Sequence, residues 1–487
     1  MRICPSVMTA QYIAFHAAER PDAIAIVNDG RAIGFAEFSG TIRKFTRALR
    51  SFGLSRAAMA VIDCGDAYFN WVLRLAFEQL GVVTSTFQLP STPMPMSFLR
   101  DFDIVLTDKT LLPGDARRQH AITPEWLRSI VDGPDAPEEP PPVKAPNDPI
   151  RIILTSGTTG TPKRLLNTRK THEAWIARHG WIAEFTPRSR YLLALTLTVG
   201  APTACIRAGG TVVIENRMPV GAAIAAHRIT HTTLPPLALR YVLDELPTDY
   251  AKPSDLTILS YGASISRSLR ERAMVRLATR LIDIYGSSEG GYISSRSRAS
   301  DTGTVWPDVS VEVVDEAGQP LPFGEIGQIR SRTDYMKDTY LDYPEVAGQL
   351  FKDGWFYSND VGILHDPRRL QVLGRNDDLL NIGWRKFAPE VLEDLVQSAV
   401  EAGEVAVCSV PNSDGIEEAC VVVSNVRGSD QEIIARINDA LRNLRLGRLH
   451  VVRAIRLPRT ANGKIQRRLL KETVVRSFQP LMPAGRS

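Results

Sequence analysis

Short apolar runs alternate with amphipathic segments along most of the sequence. In AEFSGTIRKFTRALRSFGL, apolar residues recur three or four positions apart, as do Phe38, Ile42 and Phe45, and Gly53 closes the pattern. This spacing predicts an amphipathic helix that ends at a glycine. Runs such as AAMAVIDC, RIILTS and LTILSYG are typical of short buried strands. Strands that alternate with helices favour parallel sheets covered by helices, in which ligands bind at the carboxyl ends of strands.

A change of pattern near Arg375 divides the chain. Its 487 residues exceed what one ordinary hydrophobic core holds, so more than one domain is expected. We predict an α/β protein with a large N-terminal domain of helix-covered, mostly parallel sheets over residues 1–375. A small C-terminal α+β domain over residues 376–487 follows. The proline-rich stretch from Asp132 to Pro149 is either a domain linker or a loop that delivers the next strand.

The composition argues against several other classes of protein. Lys and Arg number 58 against 54 Asp and Glu, and the net charge of +4 is too small to indicate nucleic acid or a membrane surface as partner. The five cysteines are odd in number and form no CxxC pair, which argues against a disulfide framework and a zinc site. No segment has the pattern of a signal peptide or a membrane span. We therefore expect a cytoplasmic protein.

A loop rich in glycine and hydroxyl groups directly follows the strand RIIL. In LTSGTTGTPK, glycines let the backbone turn tightly, so that several N–H groups can face one anion. A lysine then supplies a point charge for a polyphosphate. The spacing differs from that of a Walker A loop, because Pro162 precedes the lysine. The candidate phosphate-binding residues are Thr155, Ser156, Gly157, Thr158, Thr159, Gly160 and Lys163. The alternative is a solvated polar turn.

Charged residues in four later segments suit the binding of a nucleoside triphosphate. In DIYGSSE, Glu289 can bind the Mg²⁺ of a triphosphate, and Tyr285 can cover a purine face. Asp360 of FYSNDVG can accept hydrogen bonds from both ribose hydroxyls, and Arg375 of LGRNDD can contact the ribose or the α-phosphate. Lys464 of PRTANGK, in a turn next to a glycine, can place a cation against charge that develops on a phosphate. Alone, each of these residues is more often a structural or surface residue.

These segments occur in the same order as the motifs of the adenylate-forming superfamily, which includes acyl-CoA synthetases, adenylation domains of peptide synthetases and firefly-type luciferases. TSGTTGTPK resembles its phosphate-binding loop, DIYGSSE its YGxxE motif, DGWFYSNDVG its GWxxTGD motif and LPRTANGK its PxTxxGK motif. LGRNDDLLNIGWRKFAPEVLE is similar to its hinge and crossover segment. Since PDAIAIVNDGRAIGFAEFS and LSYGASIS also match weaker blocks, the resemblance covers nearly the whole chain.

The resemblance implies an acid–CoA ligase that works in two steps and whose domain over residues 1–375 binds AMP and the acyl group. The carboxylic acid first reacts with ATP and Mg²⁺ to form an acyl-AMP, and a mobile small domain presents Lys464 as the catalytic residue of this step. The domain then turns about a hinge at Asp377 and presents Gly383 and Trp384 to the thiol of CoA or of a carrier protein's phosphopantetheine. Gly383 lacks a side chain, so a pantetheine arm can pass close to the backbone. The resemblance also assigns nucleotide binding to Gly262, Ala263, Gly286, Ser287 and Ser288.

The predicted acyl pocket departs from the family pattern. Between the phosphate loop and the YGxxE motif, many members carry an aromatic residue or a histidine that gates the carboxylate, and LLALTLTVGAPTA has neither. The same segment has no Asp, which relatives that activate amino acids use to hold the α-ammonium, so an ordinary amino acid is disfavoured as substrate. Leu197 and Val199 predict an apolar acid, either aryl or short-to-medium aliphatic. Tyr261 stands where a glycine is common and is expected to narrow the pocket.

Three functions are compatible with the sequence. The leading one is an acid–CoA ligase, the second is a stand-alone adenylation enzyme that loads a carrier protein in trans, and the third, less well supported, is a non-catalytic nucleotide-binding relative. The segment from Arg442 to Leu470 contains nine Lys and Arg and no Asp or Glu. It is either a solvated basic face or a surface that attracts ATP and the phosphates of the thiol acceptor.

Overall fold

The computed structural model describes residues 8–86, 101–109, 118–137, 145–155, 163–194, 200–263, 265–296, 300–337, 340–341, 347–348, 350–378, 380–382, 385–412, 417–444, 446, 448–460 and 463–478. Within them, the α-helices are α1 Thr9–Glu19, α2 Phe35–Arg50, α3 Ala67–Leu80, α4 Pro124–Val131, α5 Arg169–Ala183, α6 Gly200–Arg207, α7 Val220–Ala226, α8 Pro236–Glu245, α9 Arg267–Arg276, α10 Pro389–Ala399, α11 Asp430–Leu441 and α12 Arg467–Phe478. Of these described helices, none is long and apolar enough to cross a membrane.

The strands alternate with these helices over most of the chain. They are β1 Ile24–Asn28, β2 Arg31–Gly34, β3 Met59–Asp63, β4 Val83–Thr86, β5 Ile104–Thr107, β6 Gln119–Ala121, β7 Pro149–Thr155, β8 Lys163–Thr168, β9 Arg190–Leu192, β10 Thr211–Ile214, β11 His231–Thr233, β12 Thr257–Tyr261, β13 Arg280–Ser287, β14 Gly291–Arg296, β15 Gly303–Val305, β16 Ser310–Val314, β17 Ile326–Arg332, β18 Phe351–Lys352, β19 Trp355–Asp366, β20 Arg369–Arg375, β21 Leu380–Ile382, β22 Arg385–Phe387, β23 Ala402–Pro411, β24 Glu417–Val426 and β25 Leu449–Ala454.

Helix α2 shows why the apolar spacing of the sequence specifies a helix. Phe38 and Phe45 are fully buried and Ile42 is 3% exposed, so the apolar stripe faces the core of the large domain. Gly53 has a φ of 62°, a conformation that favours glycine and lets the chain turn away shortly after the helix ends. The predicted amphipathic helix is confirmed, but the prediction that a glycine caps it is wrong, because the helix ends at Arg50 and its C-cap is Ser51.

A six-stranded sheet has the order β6-β5-β3-β4-β7-β8 and is parallel except for the β7–β8 hairpin. The strands on either side of the proline-rich stretch from Asp132 to Pro149, β6 and β7, belong to one sheet, which favours a connection within one domain over a domain linker. In the hairpin, Thr155 pairs with Lys163, so the two ends of the glycine-rich loop lie side by side.

A second, larger sheet has the order β16-β17-β19-β20-β15-β14-β13-β12-β11-β9-β10-β1-β2, with β18 paired to β19. From β1 through β10, β9, β11 and β12 to β13 its pairs are parallel, whereas from β13 onward they are antiparallel. Only three residues separate Ser287 from Gly291, too few for the crossover that a parallel pair needs. The predicted α/β fold is confirmed, and the antiparallel extension is an addition to it.

The small domain is built on the sheet β23-β24-β25, which is covered on both faces. Along β23, Val405 and Val407 point to a core shared with α10 and α11, whereas Ala406 and Cys408 point to a core shared with α12. This alternation is the two-residue period of a strand buried on both sides. The residues form the small α+β domain that the sequence predicts, and its boundary at 375/376 stays a prediction.

Candidate active site

A deep cleft of about 3430 Å³ lies between the two domains. The carboxyl ends of β12 and β13 open into it, as ligand sites of α/β sheets do. The large domain lines the cleft with Tyr285, Glu289 and Asp360, and the small domain lines it with Thr460 and Lys464. The structure therefore brings residues from widely separated motifs to one place.

Asp360 lies at the centre of a hydrogen-bonded group on the large sheet. It is the register partner of Arg375 in the β19–β20 pair, and Arg375 Nε lies 3.9 Å from its Oδ1. The Tyr285 hydroxyl donates a 2.7 Å hydrogen bond to its Oδ2. Burial raises the pKa of Asp360, and this effect is opposed by Tyr285, by Arg375 and by Lys464. A carboxylate held in this way presents acceptors of fixed direction to a diol.

Glu289 lies in the turn between β13 and β14, where Tyr340 donates a 2.7 Å hydrogen bond to its Oε1. Lys163 Nζ lies 5.3 Å from the centre of the Tyr340 ring, so the start of β8 reaches the same place. Lys337 Nζ donates to the carbonyl of Ser288, and its backbone N–H donates to the Glu289 carbonyl over 3.1 Å. Burial lowers the pKa of Lys337 to about 7, although Glu289 opposes this shift.

Glu289 suits a magnesium ion that enters the cleft bound to a nucleoside triphosphate. Among the described residues, no group of three or more His, Cys, Asp or Glu side chains is placed to hold a metal ion. Mg²⁺ keeps several waters and is commonly bound through one or two carboxylates together with substrate phosphates. A single carboxylate beside the ends of the glycine-rich loop matches that donor set.

Lys464 is carried by a tight turn of the small domain. Thr460 N donates to the Lys464 carbonyl over 2.8 Å, and Lys464 N donates to Thr460 Oγ1 over 3.2 Å. The side chain is exposed in the cleft. The pKa of its ammonium is lowered because the walls of the cleft remove part of its hydration and because Arg375 repels it, whereas the charges of Asp360 and Glu289 oppose that shift. Lys464 is therefore close enough to Asp360, Glu289 and Arg375 of the large domain for their charges to act on its ammonium.

The remaining nucleotide-binding candidates lie along the rim of the cleft. Gly262, with a φ of 94°, and Ala263 are exposed after β12. Ser287 Oγ accepts a 2.9 Å hydrogen bond from Gly290 N. A Cβ on Gly286 would lie 2.2 Å from the Gly291 carbonyl oxygen, so this glycine is required by the close approach of β14. A glycine in the YGxxE-like motif thus has a packing reason in addition to any contact with a ligand.

Several predicted residues lie outside the described part of the chain, namely Ser156, Gly157, Thr158, Thr159, Gly160, Leu197, Val199, Gly383 and Trp384. For Thr155 and Asp377 the structure describes the backbone alone. Thr155 ends β7, and Asp377 lies in the 3₁₀ turn Asn376–Asp378 between the domains. The roles assigned to these residues stay predictions.

The cleft also contains an aromatic pocket beside Tyr285 and Glu289. The sequence predicts only one of its described residues, Tyr261. Trp175 of α5 stacks on Tyr292 of β14 with ring centres 5.7 Å apart, and Tyr261 lies 6.2 Å from Tyr292. The Tyr292 hydroxyl and His179 Nε2 are 2.9 Å apart. Since 113 positions separate these two residues, no local motif could have indicated their contact. Of the predicted acyl-pocket residues in the described part, Tyr261 is at the pocket wall.

The hydrogen bonds of His179 determine which ring nitrogen carries its proton, and its burial determines its charge. Its Nδ1 lies 2.8 Å from the carbonyl oxygen of Trp175, which can only accept, so Nδ1 carries the proton. Burial lowers the pKa of His179 to about 4, so the ring is neutral at pH 7 and Nε2 accepts from the Tyr292 hydroxyl. Gly200 packs against this ring so closely that a Cβ there would lie 2.0 Å from Cε1.

The basic segment from Arg442 to Leu470 is more neutral than its sequence indicates. Ion pairs with Asp or Glu are formed by Arg442, Arg453, Arg459, Arg467 and Arg468. Each partner acid lies outside the segment, so inspection of the segment alone overestimates its charge. The pairs disfavour a broad attractive surface. Lys464 is close enough to Asp360 and Glu289 for both carboxylates to act on its charge.

Known proteins resemble this chain along its length. Indoleacetate–CoA ligase of Aromatoleum aromaticum is 27% identical, with 96% of this chain and 98% of that protein covered. Enterobactin synthase component E of Escherichia coli is 25% identical, with 94% and 92% covered. The crystal structure of ATP-bound MatB from Rhodopseudomonas palustris superposes with a TM-score of 0.83 at 21% identity, covering 97% of this chain and all of that one.

A second solved structure matches the fold equally well. The anthranilate CoA ligase AuaEII in complex with anthranoyl-AMP superposes with a TM-score of 0.84 at 18% identity, covering 97% of this chain and 98% of that one. The family of AMP-binding enzymes matches residues 13–341, which is more than half of the chain and includes the glycine-rich loop, Glu289 and the aromatic pocket. On this match and on the geometry of the cleft, the chain belongs to the family of AMP-binding enzymes.

Proposed function

We propose that the protein is an acid–CoA ligase that activates a carboxylic acid with ATP and Mg²⁺ as its acyl-AMP and then transfers the acyl group to a thiol. The observation that carries the proposal is the convergence of Glu289, Asp360 and Arg375 of the large domain with Lys464 of the small domain in one cleft. Each group has the chemistry that one part of an adenylation transition state requires. A non-catalytic relative would have no need of the lysine at this position.

In the first half-reaction a carboxylate oxygen attacks the α-phosphorus, and the bond from that phosphorus to the bridging oxygen of pyrophosphate breaks. Two anions meet in this step, so a cation at the developing charge lowers the barrier. Lys464 and Arg375 supply the cations, Asp360 orients the ribose, and Lys163 contacts the leaving phosphates. Glu289 would hold Mg²⁺, which offsets charge on the triphosphate.

In the second half-reaction a thiol sulfur attacks the acyl carbon, the bond to the phosphate oxygen breaks, AMP leaves and the thiol proton is released. We propose CoA as the thiol, because the relatives named above include an indoleacetate–CoA ligase that aligns over nearly all of both chains. We also propose that the small domain turns about Asp377 between the two half-reactions and then presents Gly383 and Trp384 to the thiol. The proposed location is the cytoplasm.

The acid is proposed to be aromatic. Trp175, Tyr261 and Tyr292 supply flat apolar surfaces, and planar rings gain offset stacking on such surfaces beyond simple burial. The aromatic neighbours of Tyr292 in the described part of the chain, Trp175, His179 and Tyr261, supply no carboxylate to hold an α-ammonium. An aryl acid fits this lining better than an aliphatic acid.

A pyrophosphate-exchange panel tests the proposal. Exchange is expected with one or more aryl acids and not with the standard amino acids. CoA is then supplied to the best acid, and AMP release with acyl-CoA formation is expected. Thioester formation on a phosphopantetheinylated carrier protein but not on CoA would favour the carrier-loading enzyme instead. ATP binding with no exchange for any acid would contradict the proposal and favour the non-catalytic relative.

A further inference from the structure

Two ion pairs join helix α8 of the large domain to the turn that carries Lys464. Arg240 of α8 lies 2.7 Å from Oε1 of Glu404, at the start of β23. The same oxygen lies 3.0 Å from Arg459 of the small domain. One carboxylate oxygen thus accepts hydrogen bonds from two guanidinium groups, one from each domain, and the pKa of Glu404 is lowered by both arginines against the effect of burial.

The connection continues to the lysine itself. Arg459 donates a hydrogen bond to the carbonyl of Gly463, the residue directly before Lys464. On its other side Gly463 rests on α8, because a Cβ there would lie 2.6 Å from Cδ2 of Leu237. Gly463 also has a φ of 79°, so both its conformation and its contact favour glycine. The turn is therefore held against α8 by an apolar contact and by a charged one.

Burial makes the charged contact more than a surface ion pair. The side chain of Arg240 is 18% exposed, that of Glu404 13% and that of Arg459 22%. Exposed ion pairs contribute little because water screens them, whereas truncation of one partner of a largely desolvated pair is costly, since the other charge loses its partner. Arg240 also donates to the carbonyl of Gly403, so it binds the small domain at two adjacent points.

We infer that Arg240 and Glu404 are positioning residues that hold the Lys464 turn over the nucleotide site during the first half-reaction. The inference rests on the proposed function, because it presumes that Lys464 acts in adenylation. The described contacts of Arg240 and Glu404 are with each other and with the small domain, so the two residues act on Lys464 through Arg459 and the Gly463 carbonyl. The thiol step does not need Lys464 at this place, so the contact serves one half-reaction and not the other.

Arg240→Met is the cleaner probe, because Glu404 also binds Arg459 and Ser424 inside the small domain. In this variant the turnover rate of pyrophosphate exchange should fall about tenfold or more, as expected for loss of one partner of a desolvated pair. The KM for ATP should change little, and thioester formation from supplied acyl-AMP and CoA should keep the wild-type rate. Arg453→Met is the matched control, since it removes an arginine that pairs with Asp430 within the small domain.

Two further measurements separate a positioning role from general damage. If Arg240 and Glu404 act through one contact, Arg240→Met combined with Glu404→Gln should slow exchange no more than the more damaging single variant, whereas independent effects would multiply. Small-angle X-ray scattering should show a larger radius of gyration for Arg240→Met than for Arg453→Met. Arg240→Lys, which keeps the charge, should recover part of the exchange rate.

The outcomes decide between the inference and its basis. Exchange by Arg240→Met at the rate of Arg453→Met, or equal losses in both half-reactions, overturns the positioning role. If the wild type supports no exchange with any acid, the proposed function fails. The scattering comparison still shows in that case whether the Arg240–Glu404 pair holds the domains together.

Discussion

Tyr285 donates a hydrogen bond of 2.7 Å from its hydroxyl to Oδ2 of Asp360, although 75 positions separate the two residues along the chain. The sequence predicts that Tyr285 covers a purine face, and the structure shows that its hydroxyl also binds Asp360. By binding one carboxylate oxygen, the tyrosine sets the direction of the other. That oxygen, Oδ1, lies 3.9 Å from Nε of Arg375.

Replacement of Tyr285 by Phe should therefore weaken ATP binding. A hydrogen bond to a charged group contributes about 1.5–3 kcal/mol, so the Kd for ATP should rise about tenfold or more. Isothermal titration calorimetry measures this directly. Tyr250→Phe, which removes a hydroxyl that donates to the Gly221 carbonyl in the large domain, is the control and should leave the Kd unchanged. An unchanged Kd in Tyr285→Phe would mean that the hydroxyl does not orient Asp360 for the nucleotide.

Lys464→Ala should abolish adenylation and spare thioester formation. Loss of one electrostatic group at a developing charge typically costs about 10²–10³-fold in rate. Pyrophosphate exchange reports the first step, and acyl-CoA formation from supplied acyl-AMP reports the second. Lys471→Ala removes a small-domain lysine that pairs with Glu417 at 2.8 Å, and both rates should persist in it. Normal exchange by Lys464→Ala would show that the assigned role is wrong.

His179 should make the protein sensitive to acid. Its pKa is lowered from 6.5 to about 4 by burial, so between these values the unfolded chain binds a proton that the folded protein excludes. Protonation therefore favours unfolding, and stability should fall as pH decreases from 6.5 to 4 by about 3 kcal/mol from this residue. Urea unfolding of wild type and His179→Gln at several pH values isolates the effect, because other titrating groups cancel. A stability difference that stays constant with pH would contradict it.

Adjacent arginines of α12 should differ sharply in their effect on stability. Arg467 has a side chain that is 11% exposed and pairs with Glu393 at 2.5 Å and with Glu390 at 2.8 Å. Truncation of a buried partner typically costs about 3–5 kcal/mol, so Arg467→Met should destabilise the small domain by about that amount.

Arg468 is the matched control for that experiment. Its side chain is 92% exposed and pairs only across one helical turn with Glu472. Arg468→Met should change the free energy of unfolding by less than about 0.5 kcal/mol. Equal urea midpoints for the two variants would show that the carboxylates around Arg467 are not held by it.

What the sequence could predict follows from the range over which each feature is encoded. Helix α2 was predictable because Phe38, Ile42 and Phe45 repeat with the helical period, and the structure buries all three. The antiparallel extension also has a local cause, since the three residues between Ser287 and Gly291 cannot make a crossover, but the end of one strand and the start of the next are not marked in the sequence itself.

The candidate site divides along the same line. The chemistry of Glu289, Asp360 and Lys464 was accessible from residue type and order, and their roles stay predictions that the variants above test. The contact of Tyr292 with His179 and that of Arg240 with Glu404 depend on how α5, α8 and the small domain pack. Such pairs span more than a hundred positions and leave no periodic signal, so sequence reasoning could not find them.

The continuous hydrogen bonding of the large sheet has a consequence for engineering. Tyr285 and Asp360 are carried on strands β13 and β19 of one sheet, and Arg375 pairs with Asp360 within it, so these groups keep a common frame. Trp175 and His179, by contrast, are delivered by a helix packed against that frame. Exchanging His179 should retune the choice of acid with little change in the affinity for ATP. The centre of the Trp175 ring, however, lies 4.1 Å from Nζ of Lys337, which binds the Ser288 carbonyl, so an exchange there should alter both. The pocket and the nucleotide site are therefore separable design variables at one position of α5 and coupled at the other.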